Sequence, residues 1–377
     1  MAEFTAYCER LTIKRPVIMS QNICEIVSPE AIQQNLIDSF GMDNMRPDSV
    51  DALSYVVSPE NTSVAAVTRV TGMPSKVNPV KVIYDQRLLE DEGFEGRGTC
   101  SIDNTECDLT AVYNFDTSAA FHNGFKVTPL ELAGTAEENS AFVARKLQKY
   151  INWADQKSAK KLAGVVAAQY GRWSTDTNNI RGVGMTGQVL QVNDYIGTSG
   201  EPNPVLFQQI RKALMLTRIE GGVVAGGLAL GDYAERAFSR NGAASGWDLG
   251  EMAARYGFAP VYDRYLADEL ATVNATNAAI GRGSVIPLIF NLFAEPFNQM
   301  NDSTNRAFVV TSPVTGIPYD VKIHRDCAEN PWNIIVTGTI DFVTMPDDMY
   351  KVGDRLADTK GLAVLNVTCD DLTPCQA

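Results

Sequence analysis

The chain has few of the residues and motifs on which enzymes usually depend. It contains only two histidines, His122 and His324, which lie far apart in sequence, each beside a strand-like segment. A lone histidine in such a place is usually a surface or hydrogen-bonded residue. No G-x-S-x-G, H-E-x-x-H or Walker motif is present. These absences favour a structural or binding protein over an enzyme, so we expect no catalytic residue and no cofactor.

The cysteines follow no metal-binding pattern. Two pairs lie close in sequence, Cys100 with Cys107 and Cys369 with Cys375, and the sequence leaves open whether either pair is bonded. Neither spacing is that of a zinc site, so we expect no metal. An odd, scattered set fits reduced thiols in a cytoplasm. The seven are Cys8, Cys24, Cys100, Cys107, Cys327, Cys369 and Cys375.

Long apolar runs and excess positive charge are also absent. No segment approaches the roughly 20 apolar residues that span a bilayer, and residues 1–15 lack the apolar core of a signal peptide. The 32 basic residues against 45 acidic ones give a net charge of −13. We therefore expect no membrane association and only weak, non-specific contact with DNA.

The composition is that of a large folded protein. Its 377 residues are 45% hydrophobic, enough for a core divided among two or three subdomains. Charged residues make up only 20%. A surface with so little charge is what extensive contact between subunits would require.

The most regular pattern in the chain predicts one long helix over residues 135–170. Thr135 and Glu138 have the spacing of a capping box, so the helix should begin there. Apolar residues then recur at three- and four-residue steps, with lysines and Arg145 on other faces. Gly171 suits a left-handed exit. At 1.5 Å per residue the helix would be about 50 Å long, and it would need a wide surface to lie on.

The residues before this helix predict an arm followed by a β-hairpin. Residues 1–70 show no sustained period beyond one short helix near residues 29–40. Alternating residues then predict strands, and an acidic, glycine-rich segment separates the first two. That segment is either a solvated loop or the tip of a hairpin that docks on another subunit. Its interface candidates are Glu90, Asp91, Glu92, Glu95, Arg97, Asp103 and Glu106.

Residues 182–187 read G-x-G-x-x-G, the dinucleotide-binding fingerprint. That loop requires a strand immediately before it, whereas residues 176–181 read DTNNIR. The sequence therefore favours a flexible connector over residues 174–200.

The last part of the chain predicts an α/β subdomain and then a sheet. Residues 203–300 alternate between helical and strand patterns, beginning with a helix start at Asn203 and Pro204. Residues 308–340 contain further alternating strands that can carry the long helix. The α/β unit is thus expected to be an insertion between the helix and its sheet.

This order of elements resembles the major capsid proteins of tailed phages, which have the Hong Kong 97 phage capsid fold. Local phrases are similar as well. They are VKVIY at residues 80–84, GWDL at 246–249 with RYGF at 255–258, and TGIPY at 315–319 with NPW at 330–332.

The resemblance implies an α+β fold with a defined division. It comprises an N-terminal arm (1–70), an extended hairpin loop (71–130), a peripheral domain (131–202 and 301–350) with its spine helix at 135–170, an axial domain (203–300) and a C-terminal segment (351–377). It further implies hexamers and pentamers in an icosahedral shell around double-stranded DNA, assembled in the host cytoplasm. Portal, scaffold and decoration proteins would be its partners.

Two alternatives stay open from the sequence. One is a nucleotide-binding α/β enzyme that uses the glycines of residues 182–187. The other is an encapsulin-like compartment, a related shell of cellular origin that encloses enzymes.

Overall fold

The structure is a computed structural model. It describes residues 27–39, 50–62, 65–69, 77–84, 109–116, 120–132, 134–196, 201–219, 222–231, 256–294, 305–325, 331–345, 351–352, 355–356 and 360–368. The helices in these ranges are α1 (Pro29–Ser39), α2 (Asp51–Val57), α3 (Pro59–Thr62), α4 (Ala136–Gln169), α5 (Leu206–Thr217) and α6 (Arg264–Leu270).

The strands are numbered in the same way. They are β1 (Ala65–Arg69), β2 (Val77–Tyr84), β3 (Leu109–Asp116), β4 (Phe121–Val127), β5 (Val183–Thr186), β6 (Val189–Asn193), β7 (Tyr195–Ile196), β8 (Glu201–Pro202), β9 (Gly222–Gly226), β10 (Phe258–Tyr262), β11 (Asn277–Ile280), β12 (Val285–Ile289), β13 (Asn305–Thr311), β14 (Pro318–Arg325), β15 (Trp332–Gly338), β16 (Ile340–Thr344), β17 (Lys351–Val352), β18 (Arg355–Leu356) and β19 (Leu362–Thr368). Helices and largely antiparallel sheets together confirm the α+β class.

The long helix α4 has 34 residues and begins where its sequence predicts. Thr135 is the N-cap: its hydroxyl accepts from the Glu138 N–H, and the Glu138 carboxylate accepts from the Thr135 N–H at 2.9 Å. The predicted exit was wrong, because Tyr170 continues in extended conformation and Gly171 does not adopt a positive φ. The Gly171 N–H instead donates to the Leu362 carbonyl at 2.7 Å, so the start of β19 fixes the end of the helix.

One side of α4 lies on a four-stranded antiparallel sheet with the order β13-β14-β15-β4. Burial alternates residue by residue along β15, as the sequence period of two predicts. The buried face of α4 includes Leu147, Ile151 and Leu162 and shares one hydrophobic core with β14 and β15. Three strands of this sheet follow the helix in the chain, as predicted, whereas β4, which lies in the predicted hairpin loop (71–130), precedes it.

A second, mixed sheet has the strand order β10-β9-β11-β19-β6-β5. Its central strands are covered on both faces. Along β19, Leu362 and Val364 join the core that contains α4, whereas Ala363 and Leu365 pack with α5 on the other face. Strands from residues 183–193 and 362–368 thus complete a sheet whose other members lie between 222 and 280.

The N-terminal segment packs on the body of its own chain. Helix α1 confirms the short helix predicted near residues 29–40, and α2 and α3 were not predicted. Ile32, Leu36, Leu53 and Val56 are fully buried in the core that contains α4. The described part of this segment therefore contributes to the core.

The hairpin strands form a separate three-stranded antiparallel sheet with the order β1-β2-β3. β2 and β3 are paired from Val77↔Asp116 to Tyr84↔Leu109. At about 3.4 Å per residue, eight paired residues make a ribbon of about 27 Å. Strand β1 belongs to the segment that the sequence predicts as an arm.

Candidate assembly surfaces and the joint between helix and sheet

The acidic segment connects β2 to β3 at one end of their pairing. Because Tyr84 and Leu109 are the last paired residues, residues 85–108 connect the two strands at the end of the ribbon. The interface candidates Glu90, Asp91, Glu92, Glu95, Arg97, Asp103 and Glu106 all lie in this connection, outside the described residues. Their role stays a prediction.

A buried carboxylate joins the long helix to its sheet. Asp155 is fully buried on α4, and its Oδ2 accepts from Ser312 Oγ at 2.7 Å. Its Oδ1 accepts from Thr315 Oγ1 and from Tyr319 Oη, each at 2.8 Å. Ser158 Oγ lies 3.3 Å from Tyr319 Oη. We call these five residues the Asp155 cluster; they fix the turn between β13 and β14 against the helix.

The electrostatics of this cluster are those of a buried acid with three donors. Burial raises the pKa of Asp155 to about 6, although the hydroxyls of Ser312, Thr315 and Tyr319 lower it. Burial and the adjacent carboxylate raise the pKa of Tyr319 well above its usual value. The tyrosine therefore stays protonated and donates at any physiological pH.

One feature of the sequence could have pointed to Asp155 before the structure was known. Asp155 falls on the apolar face of α4, four residues from Ile151 and seven from Leu162, where a charge is out of place. Thr315 and Tyr319 belong to the phrase TGIPY, which carried part of the resemblance. The sequence could not show that these residues meet.

A second buried polar group attaches the N-terminal segment to the body. Asn61 Nδ2 donates to the carbonyls of Val56 at 2.7 Å and Val285 at 2.9 Å, and Asn61 Oδ1 accepts from the Gly283 N–H at 2.7 Å. The amide group thus bridges α3 and β12, and it is fully buried.

Asp263 adds a third buried contact between the N-terminal segment and the body. It caps α6 by accepting from the Leu266 N–H at 3.0 Å, and it pairs through its backbone with Val50. Burial raises the pKa of Asp263 to about 6, against the lowering effect of the backbone N–H groups of Leu266 and Ala52.

The side of α4 that faces solvent is basic. Arg145, Lys149, Lys157 and Lys160 are all exposed, and their steps of four, eight and three residues place them on one helical face. We call these four residues the basic stripe. Their neighbours on the helix are ion-paired within the chain, Lys146 with Glu131 at 3.0 Å and Lys161 with Asp341 at 3.4 Å.

The G-x-G-x-x-G residues form a β-hairpin. Gly182, at φ +80°, precedes β5, and Gly187, at φ +63°, lies in the turn to β6. No helix follows the glycines, so their amides do not converge on a phosphate as a dinucleotide loop requires. The prediction of a connector was also wrong for residues 183–193, which are paired at one edge of the six-stranded sheet.

A groove of about 1080 Å³ lies beside this hairpin, between α5 and the turn at residues 175–182. Its lining includes the polar side chains of Asn179, Arg181, Gln208 and Lys212. The Gln209 side chain closes one wall by donating to the Arg181 carbonyl at 2.7 Å. The groove brings together no pair of residues with a recognisable catalytic arrangement.

The two histidines are separate in the sheet. His324 on β14 is opposite Asn333 of β15, and His122 on β4 is opposite Thr337 of the same strand. The seven cysteines lie outside the described residues. Among the described residues, no group of three or more potential metal ligands occurs, and no helix is long and apolar enough to cross a membrane.

Comparison with known proteins gives similarity in structure alone. No protein-family model matches the chain, and no curated protein matches it. The capsid asymmetric unit of cyanophage A-1(L) is similar at 10% identity and a TM-score of 0.46, over 86% of this chain and 94% of that chain. The capsid of Ralstonia phage GP4 is similar at 12% identity and a TM-score of 0.40, over 87% of this chain and 93% of that chain.

A third structure, the capsid of cyanophage P-SCSP1u, is similar at 10% identity and a TM-score of 0.38, over 86% of this chain and 90% of that chain. The structures similar to the chain are therefore phage capsids, the class that its sequence resembles. Identities of 10% to 12% with TM-scores below 0.5 transfer no function.

Proposed function

We propose that the chain is a major capsid protein, whose copies form the hexamers and pentamers of an icosahedral shell around double-stranded DNA. The observation that carries the proposal is the separate sheet β1-β2-β3, which shares no strand with the four-stranded and six-stranded sheets of the body and ends in a long acidic connection. In this proposal the sheet extends from the subunit and contacts a neighbouring copy.

The limited stability of small sheets is the physical reason to expect contact between copies. An isolated two-stranded hairpin is marginally stable in water, and a small sheet needs three or more strands with an apolar face, or a packing partner, to be stable on its own. Copies of one chain in a closed symmetric assembly offer every such ribbon the same covering surface. An assembly of identical chains therefore explains why the chain carries a small sheet that shares no strand with its body.

Several large apolar side chains are exposed at separate places. Leu130, just before α4, is 87% exposed, and Met215 on α5 is 63% exposed. Leu228 and Ile37 are each more than half exposed. Single exposed apolar side chains are normal on a protein surface, so the separate sheet, and not these side chains, carries the proposal.

The body has the rigidity that a shell subunit requires. The Asp155 cluster fixes α4 to its sheet, and the Asn61 amide fixes the N-terminal segment to β12. We propose that α4 with the four-stranded sheet is the peripheral domain, and that the unit around residues 203–300 is the axial domain. The hairpin would be the extended loop.

The proposed partners follow from a shell. Copies of the chain are the main partner, with portal, scaffold and decoration proteins as further ones, and the location is the virion. The net charge of −13 favours weak, non-specific contact with the enclosed DNA. An encapsulin-like compartment remains the alternative within the same architecture, and the contents of purified particles, DNA or protein, would separate the two.

The test uses the pairing of Tyr84 with Leu109. Because these residues are cross-strand neighbours, an Asn-Gly turn can replace residues 85–108 without disturbing β2 and β3. We expect the wild-type chain to sediment as large particles that negative-stain microscopy shows as closed shells. The shortened chain should keep its circular dichroism and melting temperature but remain unassembled.

Two results would contradict the proposal. One is a wild-type chain that stays a homogeneous monomer under every assembly condition tried. The other is a shortened chain that forms shells as efficiently as the wild type.

A further inference from the structure

The groove beside the hairpin of β5 and β6 lies close to the point where the chain leaves the six-stranded sheet. Thr368, the last residue of β19, is paired with Asn193 of β6, and Asn193 lines the groove. Neighbouring strands in a sheet lie about 4.8 Å apart. The residues that follow Thr368 therefore start beside the groove.

The charged side chains of the groove favour an acidic occupant. Arg181 and Lys212 line it, and both are exposed. Among the described residues, neither has a carboxylate within ion-pair distance. Two basic residues against one acidic residue, Asp176, give the lining a net charge of +1 on a chain whose net charge is −13. A negatively charged segment is attracted to such a patch.

Apolar side chains share this surface with the charges. Val205, the N-cap of α5, is followed by Lys212 and Leu216 at steps of seven and four residues, which places the three on one helical face. Val205 is 40% exposed and Leu216 is 44% exposed, and both line the groove. A segment that combines carboxylates with an apolar side chain would match both parts of the lining.

We propose that the groove receives residues 369–373 of the same chain, which lie outside the described residues. They read CDDLT, so they carry two carboxylates, no basic side chain and one leucine. Leu372 is the fourth residue after Thr368, and four extended residues span at most about 14 Å. In this arrangement Asp370 and Asp371 neutralise the two cations, and Leu372 covers apolar side chains of the α5 face.

The covalent connection to β19 favours this segment over the same segment of a neighbouring copy. Ion pairs between exposed side chains are individually weak, so a free acidic peptide would occupy the groove poorly. A segment that is attached through a short linker has an effective concentration on the order of millimolar, whatever the concentration of the protein. The contact is therefore a property of one subunit and does not depend on the proposed shell.

Chemical coupling within the whole, unassembled chain tests the contact. A carbodiimide activates a carboxylate and joins it through an amide bond to a lysine that touches it. We expect Lys212 to couple to Asp370 or Asp371 at least 10-fold more than Lys149 or Lys157 does, as measured by mass spectrometry of the digested protein. These two lysines of the basic stripe are the matched reference, because they are exposed and have no ion pair among the described residues.

Neutralising one cation of the groove supplies the specific readout. Arg181→Gln should lower the coupling of Lys212 to residues 370–371 about three-fold, while the melting temperature stays unchanged. Arg145→Gln makes the same change at an exposed position on α4 and should leave the coupling unaltered. In 1 M salt, where the Debye length is about 3 Å, the coupling of the wild type should fall as well.

Three results would overturn the inference. They are coupling of Lys212 no stronger than that of the reference lysines, coupling that Arg181→Gln leaves unchanged, and coupling that joins nitrogen-15-labelled chains to unlabelled chains when the two are mixed. The last result would assign the segment to the groove of another copy. A chain that never forms shells would count against the proposed function alone, because the coupling is measured within single subunits.

Discussion

The Tyr319 hydroxyl donates a hydrogen bond of 2.8 Å to Asp155 Oδ1 across the interface between β14 and α4. Both side chains are fully buried, so no water replaces either partner. This bond is the most direct polar link between the long helix and the sheet beneath it, and its removal is a direct test of the joint.

We expect Tyr319→Phe to lower the free energy of unfolding by about 1–3 kcal/mol, because a buried carboxylate loses one of its three donors. Tyr170→Phe is the control, since Tyr170 is partly exposed and its change should stay within about 0.5 kcal/mol. Urea unfolding of both variants measures the difference. Equal midpoints would show that the hydroxyl adds nothing to the joint.

Stability should depend on pH through Asp155. Burial raises the pKa of this carboxyl in the folded state to about 6, so the folded protein binds the proton more tightly than the unfolded chain does. The resulting stabilisation is complete below about pH 4 and is lost as the pH rises through about 6.

Asp155→Asn removes that dependence while Oδ1 still accepts from Thr315 and Tyr319. Relative to this variant, the wild type should lose about 2 kcal/mol between pH 4.5 and 7.5. The control Asp268→Asn changes an exposed position on α6, and its stability should change with pH in the same way as that of the wild type. Parallel curves for Asp155→Asn as well would mean that the buried carboxyl does not titrate in this range.

The Asn61 amide should be essential for the attachment of the N-terminal segment. Asn61→Ala leaves the carbonyls of Val56 and Val285 and the Gly283 N–H without this partner. We expect a loss of at least about 2 kcal/mol. Hydrogen exchange should show faster exchange in α2 and α3, whereas Asn178→Ala, at an exposed position, should leave it unchanged. Unaltered exchange in α2 and α3 would contradict the assigned role.

Substitutions of the glycines in residues 182–187 should have the effects expected for a β-hairpin and not those expected for a nucleotide-binding loop. Gly182 has a φ of +80°, and a Cβ added there would lie 2.6 Å from Gln209 Nε2. Gly182→Ala should therefore lower the free energy of unfolding by about 1–2 kcal/mol. Gly184→Ala meets only the Cβ of Gln191, at 4.0 Å, and should be neutral. Neither ATP nor NAD should raise the melting temperature of the wild type. A nucleotide-dependent rise that Gly184→Val abolishes would instead support the enzyme alternative.

Local signals in the sequence predicted the elements that depend on neighbouring residues. The Thr135–Glu138 capping box gave the start of α4, and alternation gave β14 and β15. By contrast, β11 was missed because all four of its residues are buried. Both faces of this strand are covered, with Ala278 and Ile280 in one hydrophobic cluster and Ala279 in the other, which leaves no alternation of apolar and polar residues.

Long-range pairing lay beyond the sequence. Glycine often follows the end of a helix, which is why the sequence predicts a left-handed exit at Gly171. Its N–H instead donates a hydrogen bond to the carbonyl of Leu362, nearly two hundred residues later. The Asp155 cluster likewise joins residues far apart in the chain. Only the three-dimensional arrangement of α4 and the β13–β14 turn brings them together.

The location of β19 has a consequence for biosynthesis. This strand lies between β11 and β6, although it is the last of the described strands to be translated. Until residue 368 has left the ribosome, the strands on either side of the gap have no partner there. Completion of the sheet thus reports that translation has passed this point, and prematurely terminated products would be excluded from any assembly that requires a finished subunit.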